Sequence, residues 1–461
     1  MTDADEPLPA TEIERPEHRG QPTAPPMPPP TRELSRRALM ALSGGAGLGL
    51  GALAGVAIAP STRESAQPAS GTEYPFYGER QGGIITPAQD QLHFAAFDLD
   101  GDLDRAGLVE LLQDWTYAAS RLTLGLEVSA AGAFEGPETL PPDDTGEAAG
   151  LGAQGLTLTF GFGRSLFLTA DGTDRFGLAN QLPTDFIDLP TMVNDFLDPA
   201  VSGGDLCVQA CADDPQVAVH AIRNLTRIAF GRAQLRWSQL GFGRSASTSV
   251  EQDTPRNLFG QKDGTNNLKA EQPVELDEHV WISGGPAWAH GGSYLIARRI
   301  LMTIEVWDGV RLEEQDRVLG RTKGTGAPLS GGDEFTPVDF AAADAEGAPL
   351  IDPRSHVART HPDNNGGIAM LRRGYNIVDG NDDLGRLNAG LFFIAFVKAP
   401  QRFAAVHANM ARDDMFIEYL KTTASSVFLI PAGCRAEGEY VGQPLFDGPR
   451  PPESARPNQT P

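Results

Sequence analysis

Hydrophobic periodicity along this chain switches in the order strand, helix, strand, strand, helix, strand, and then switches in that order again. Residues 92–97 are a short apolar run of strand length, and over 104–121 Leu108, Leu111, Leu112, Trp115 and Ala119 recur on one helical face. Strand patterns follow at 156–162 and 205–211. Asp213-Asp214-Pro215 then opens a helix reaching Phe230, with its acids at the positive end, and 234–240 closes the set. The second pass reads as a long strand over 293–307, a helix over 310–319, strands at 368–375 and 390–397, a helix over 401–421 and a strand at 425–430. Each pass is the split β-α-β-β-α-β unit of ferredoxin-like folds. We therefore expect an α+β chain with two ferredoxin-like domains and antiparallel sheets, residues 70–245 and 246–447. The repeat is one of element order, since the residues of the two passes differ.

Composition excludes several partners and supports. With 61 acids against 37 Lys and Arg, the net charge of −24 repels phosphates, which excludes a generic nucleic-acid binder. Three cysteines cannot build a disulfide framework, and Cys207 and Cys211, four apart on one strand, fall on one face as small buried hydrophobes. The acidic, glycine-rich stretches 135–155 and 323–349 read as surface loops.

The ends differ from the middle. Residues 1–34 hold nine prolines and seven acids and read as disordered. Arg36-Arg37 then precedes an uncharged stretch, residues 38–59, with six glycines. A twin arginine before such a segment is the address of the Tat export route, so 35–60 is expected to direct export to the periplasm, cell surface or exterior. Ala57-Ile58-Ala59 resembles a small-residue cleavage site, but Pro60 behind it hinders cutting, so an uncut membrane tether is the alternative. Residues 448–461 read as a loose, proline-rich tail.

Gly260-Gln261-Lys262-Asp263-Gly264-Thr265 stands between the passes, and alone it reads as a tight turn. The longer run 255–267 around it resembles the GxxDG signature of the dye-decolourising peroxidases. Other blocks resemble that family in the same order: Gly161-Phe162-Gly163-Arg164, Gly203-Gly204-Asp205-Leu206-Cys207, Arg236-Trp237-Ser238-Gln239-Leu240-Gly241-Phe242, and Gly390-Leu391-Phe392-Phe393. The resemblance implies two ferredoxin-like domains of the dimeric α+β-barrel type and one haem b per chain. It also implies reduction of hydrogen peroxide through a ferryl intermediate, with dyes, phenols or porphyrinogens as organic donors. The Tat-like segment points to the exported subgroup containing deferrochelatase/peroxidases, so release of iron from haem with the porphyrin intact, alongside iron-uptake components, is an alternative. A haem-binding protein without turnover is a further one, and a homodimer stays open.

Eight histidines compete to hold iron. Asp352-Pro353-Arg354-Ser355-His356-Val357 resembles the family segment bearing the proximal ligand, which implies His356 as that ligand, with His361 as its rival. A second group must fix the His356 tautomer, and the sequence does not say which. By resemblance Asp263 is the group that takes a proton from one peroxide oxygen and returns it to the other. A carboxylate in that role implies an acidic optimum, since an ordinary one ionises near ~3.9 and a histidine only near ~6.5. Met370-Leu371-Arg372-Arg373 resembles the family's Leu-Arg strand, implying Arg372 as the cation that stabilises the leaving oxygen. Neighbours on a strand face opposite sides, so Arg372 and Arg373 cannot both serve. Some family members carry asparagine two residues beyond that arginine, where this chain has Gly374. Leu391 and Phe393, on one strand face, match the apolar lining above the haem.

Overall fold

Every apolar run that reads as a strand joins one sheet, and that sheet closes on itself. The computed structural model describes residues 71–448, so the expected disordered segment 1–34, the export signal 35–60 and all but the first residue of the tail 448–461 lie outside the described residues. The first half consists of β1 (Gln91–Leu99), α1 (Arg105–Leu122), β2 (Thr157–Gly163), β3 (Leu206–Ala212), α2 (Pro215–Ile228) and β4 (Ala233–Arg244). Antiparallel pairing orders its strands β4-β1-β3-β2. After α3 (Pro273–His279), the second half runs β5 (Ser293–Met302), α4 (Ile304–Asp308), α5 (Leu312–Leu319), α6 (His356–Thr360), β6 (Leu371–Arg372), β7 (Tyr375–Asn381), β8 (Leu387–Val397), α7 (Pro400–Asp413) and β9 (Leu420–Ile430). Its strands lie in the order β9-β5-β8-β7, with β6 also on β8. Both halves thus place their strands in the ferredoxin-like order fourth, first, third, second.

Each half then covers the other's open edges. β2 meets β9 at Phe162 and Leu429, and β4 meets β7 at Phe242 and Asn376, which joins all nine strands into one barrel-like antiparallel sheet. Phe94, Trp237, Tyr375, Phe392 and Phe428 fill its interior, with Cys207 and Cys211 among them. Outside, α1 and α2 pack on the first half. Trp115 wedges between Phe97 and Phe160, at 5.1 and 5.9 Å between ring centres, and its indole N–H donates to the Leu225 carbonyl at 2.8 Å. Asp104 and Asp214 cap the two helices by accepting from backbone N–H groups of the first turn.

Three elements of the second half differ from expectation, and each difference bears on the cavity. The expected strand 293–307 stops at Met302: the Thr303 N–H makes the last bond toward the neighbouring strand, to the Tyr419 carbonyl, and α4 begins. Ile304, Val306 and Trp307 prolong the apolar run past Met302, so composition does not mark the change. The expected helix 401–421 ends at Asp413. Asp414 leaves the helix with φ −61° and ψ 115° and caps the turn Met415–Tyr419, and β9 starts at Leu420. Two acids at the negative end of a helix are unfavourable, which is the physical reason it stops there. The expected strand 368–375 is reduced to β6 and resumes in β7, because the Asn267 side chain takes up both the N–H and the carbonyl of Arg372.

Candidate functional site

A cavity opens between the outer face of the second half's sheet and its helices, and His356, Asp263, Arg372, Leu391 and Phe393 all line it. Ser355 caps α6 by accepting from the Ala358 N–H, which sets His356 at the first position of that helix. Its Nδ1 lies 2.9 Å from Asp414 Oδ2, and the Asp414 side chain is 0 % exposed whereas that of His356 is 27 % exposed. The other Asp414 oxygen accepts from the Phe416 N–H at 2.9 Å, and the Phe416 ring packs 4.8 Å from the imidazole. Asp414 can only accept when ionised, so the imidazole proton sits on Nδ1 and the Nε2 lone pair is left for a metal.

His361 also lines the cavity, but its surroundings differ. Its Nδ1 lies 3.3 Å from the Asp363 N–H and 3.5 Å from Asp363 Oδ2, and that carboxylate is 69 % exposed, so the ring lacks the buried acceptor that sets the His356 tautomer.

Asp263 arises from the turn between the halves. Gly260 and Gly264 adopt φ 75° and 85°, and a Cβ on Gly264 would come within 3.0 Å of the Ala246 backbone, so the turn requires glycine there. Asp263 Oδ1 accepts from the Arg372 guanidinium at 2.9 Å, and Oδ2 accepts from Asn257 Nδ2 at 3.2 Å. Lys262, which also lines the cavity, forms an ion pair with Glu334, in the stretch expected to be a surface loop. Arg372 faces the cavity, whereas Arg373 is fully buried on the opposite side, bonded to the Thr86 carbonyl and Gln89. Asn267 accepts from the Arg372 N–H at 2.7 Å and donates to its carbonyl at 2.8 Å, which fixes the strand at the point where Arg372 leaves it. Leu391 and Phe393 lie on one face of β8 above the same space.

Sequence reasoning missed Asp414, Asn267 and Asn257. Asp414 had a signal in the acid pair that ends α7; Asn267 meets Arg372 across 105 positions, for which no local pattern exists. His407 on α7 and Arg298 on β5 complete the cavity wall. Burial, followed by the Arg298 charge, holds the His407 imidazolium down to about 4, so it is neutral at ordinary pH.

The residues present suit a haem. One imidazole has a lone pair open to a largely apolar space, its other nitrogen is tied to a buried carboxylate, and an acid with a fixed arginine lines the same cavity from other elements. An α+β barrel carrying this donor set defines a haem peroxidase. The chain matches the family models described as Dyp-type peroxidase, N-terminal, over residues 81–243 and Dyp-type peroxidase, C-terminal, over 254–435. It therefore belongs to the Dyp-type peroxidase family and is an oxidoreductase that acts on peroxide and uses haem.

Its relatives agree. It is 35 % identical to a dye-decolorizing peroxidase of Thermobifida fusca, across 90 % of this chain and 97 % of that one. It is 33 % identical to the deferrochelatase of Escherichia coli K12, again across 90 % and 97 %. Among solved structures, the oxyferrous/water mixed complex of DtpA from Streptomyces lividans matches with a TM-score of 0.74 and 39 % identity, covering 81 % of this chain and 98 % of that one. A DyP-type peroxidase from Cellulomonas bogoriensis matches at 0.72 and 35 %, covering 82 % and 99 %.

Proposed function

We propose that His356 would hold the haem iron through Nε2, and that Asp263 and Arg372 carry out the peroxide chemistry. When bound, haem supplies the redox centre that accepts oxidising equivalents from peroxide and passes them to a donor. Asp263 takes the proton from one peroxide oxygen and returns it to the other, which leaves as water. Arg372, already aimed by Asn267, stabilises the negative charge building on that departing oxygen. Leu391 and Phe393 keep the space around it dry. Asp414 holds the His356 ring in the tautomer that offers Nε2. The observation that carries this reading is that His356, held from behind by the buried Asp414, and the Asp263–Arg372 pair line one cavity. Haem-loaded protein titrated with hydrogen peroxide should show a Soret band that shifts on peroxide and returns with an added phenol. A protein that gains no Soret band with haem would end this reading.

Release of iron from haem is the second reading, favoured by relatives that bear the name deferrochelatase. Incubation with haem, followed by assay for metal-free porphyrin without ring cleavage, separates it from donor oxidation. Export by the Tat route is part of the proposal and rests on Arg36-Arg37 and the uncharged stretch behind them. Arg36→Lys with Arg37→Lys should retain the protein in the cytoplasm on fractionation. Homodimerisation, and contact with iron-uptake components, are proposed with them; sedimentation tests the first and co-purification the second.

A further inference from the structure

One wall of the second half's cavity comes from the first half. The connection between β2 and β3 crosses over as a strap, residues 192–198, and runs beside β9. Thr422 N donates to the Asn194 carbonyl at 3.0 Å, Phe196 N to that of Thr422 at 2.8 Å, and Asp198 N to that of Thr423 at 2.8 Å. Val193 and Asn194 line the cavity.

Two costly features hold the strap in place. Asn194 adopts φ 61°, in the left-handed region, and its Nδ2 donates to the Ile417 carbonyl at 2.7 Å. Asp195 is ion-paired with Arg298 of β5, and both side chains are 1 % exposed. Removing two charges from water costs about as much as their attraction returns, so such a pair contributes fixed geometry more than stability.

The fixed strap presents something on its outer side. Phe196 is 60 % exposed and Leu197 38 % exposed, and Lys421 Nζ lies 4.7 Å from the centre of the Phe196 ring. An aromatic ring held in water by ladder bonds offers apolar area and a π face to a planar ligand. The strap's carboxylates do not compete for the ammonium: Asp195 is committed to Arg298, and Asp198 accepts from the Ala200 N–H at 2.9 Å. Leu420 and Thr422, on either side of Lys421, both line the cavity. Strand alternation turns Lys421 away from the cavity that its two neighbours line, so in a chain of net charge −24 ring and cation stand together on the outer side of the strap.

We propose that this outer side of the strap binds an aromatic electron donor bearing a carboxylate or sulfonate, its ring against Phe196 and its anion on Lys421. The inference rests on the peroxidase reading and adds a docking place for donors too bulky to enter the cavity. The test compares a sulfonated anthraquinone dye with a small uncharged phenol on haem-loaded protein. Dye affinity is measured by equilibrium dialysis without peroxide, and KM and kcat with it. Lys421→Gln, a surface change, and Phe196→Ala should each weaken dye binding about three- to tenfold and raise its KM with kcat unchanged. Phe196→Tyr should restore binding, and the phenol's constants should not move. Unchanged dye affinity in both variants, or equal losses for dye and phenol, overturns the docking site alone. Failure of every variant and the wild type to oxidise the phenol overturns the peroxidase reading beneath it.

Discussion

The two halves share one strand order and treat the outer face of their sheet in opposite ways. In the first, α1 of 18 residues and α2 of 14 lie against the sheet, and Trp115 with Phe97 and Phe160 fills the space between. In the second, α7 keeps 14 residues, but the place of α1 is taken by α4 and α5 of only 5 and 8 residues, with α6 of 5 beyond them, and the cavity occupies the gap these leave beside α7. Topology therefore did not create the site. Shortened helices did, because a sheet face left without apolar cover must accept another apolar body. Titratable groups follow the same division. The first half buries His220 between Asp144 and Glu147 as a latch for the loop before β2, whereas the second opens His356 to the cavity.

That contrast can be broken by substitutions that should damage chemistry in one half and stability in the other. His356→Ala should drop peroxidase activity to background and weaken haem binding, while circular dichroism of the apoprotein stays unchanged. Asp263→Asn keeps the shape but not the proton carrier, so kcat/KM for peroxide should fall roughly 10²- to 10⁴-fold with haem still bound. Trp115→Ala should cost ~3–5 kcal/mol in denaturant unfolding, yet the fraction that remains folded should keep wild-type kcat. If that fraction lost its activity, the separation between halves would be wrong. Asp414→Asn leaves the ring contact but weakens the hold on His356, and a roughly 10- to 100-fold loss in haem affinity or activity is expected.

The smallest effect is one of pH, and its sign differs between the two regions. Burial opposes the charge on His220, but hydrogen bonds and charge from Asp144 and Glu147 outweigh it and raise its pKa above 6.5. The latch's contribution is thus full below about 6.5 and fades as pH rises through the folded value. His407 is held down to about 4 from 6.5, so its contribution is full above about 6.5 and fades as pH falls toward about 4. Hydrogen exchange at pH ~7.5 and ~5 should show the loop 143–147 better protected in acid and α7 less so. His93 on β1, which burial also lowers to about 4, should move with α7. Equal shifts in the loop and in α7 would contradict this division.

Much of the fold was legible because it rests on local periodicity. The first half's six elements lie where their apolar spacing put them, since each buries one face or both in a regular way. The second half was read less well at Thr303, Arg372 and Asp414, where the chain leaves regular structure. At Arg372 and Asp414 that departure aims a side chain into the cavity or at a residue lining it. Local pattern is weakest where tertiary contacts override it. His361 illustrates the same limit: it rivals His356 in the sequence, and the structure tells the two rings apart by the buried Asp414 behind one and the exposed Asp363 beside the other.

By itself the sequence determined the twofold order of strands and helices, the acidic surface, and the residue types that peroxide chemistry needs. Spacing and charge are properties of the chain and need no partner to be read. The closure of two sheets into one barrel, the carboxylate behind His356, the asparagine that fixes Arg372 and the strap lent by one half to the other were decided only in three dimensions. Each depends on groups far apart in the chain meeting within hydrogen-bonding distance, and no local pattern encodes that meeting.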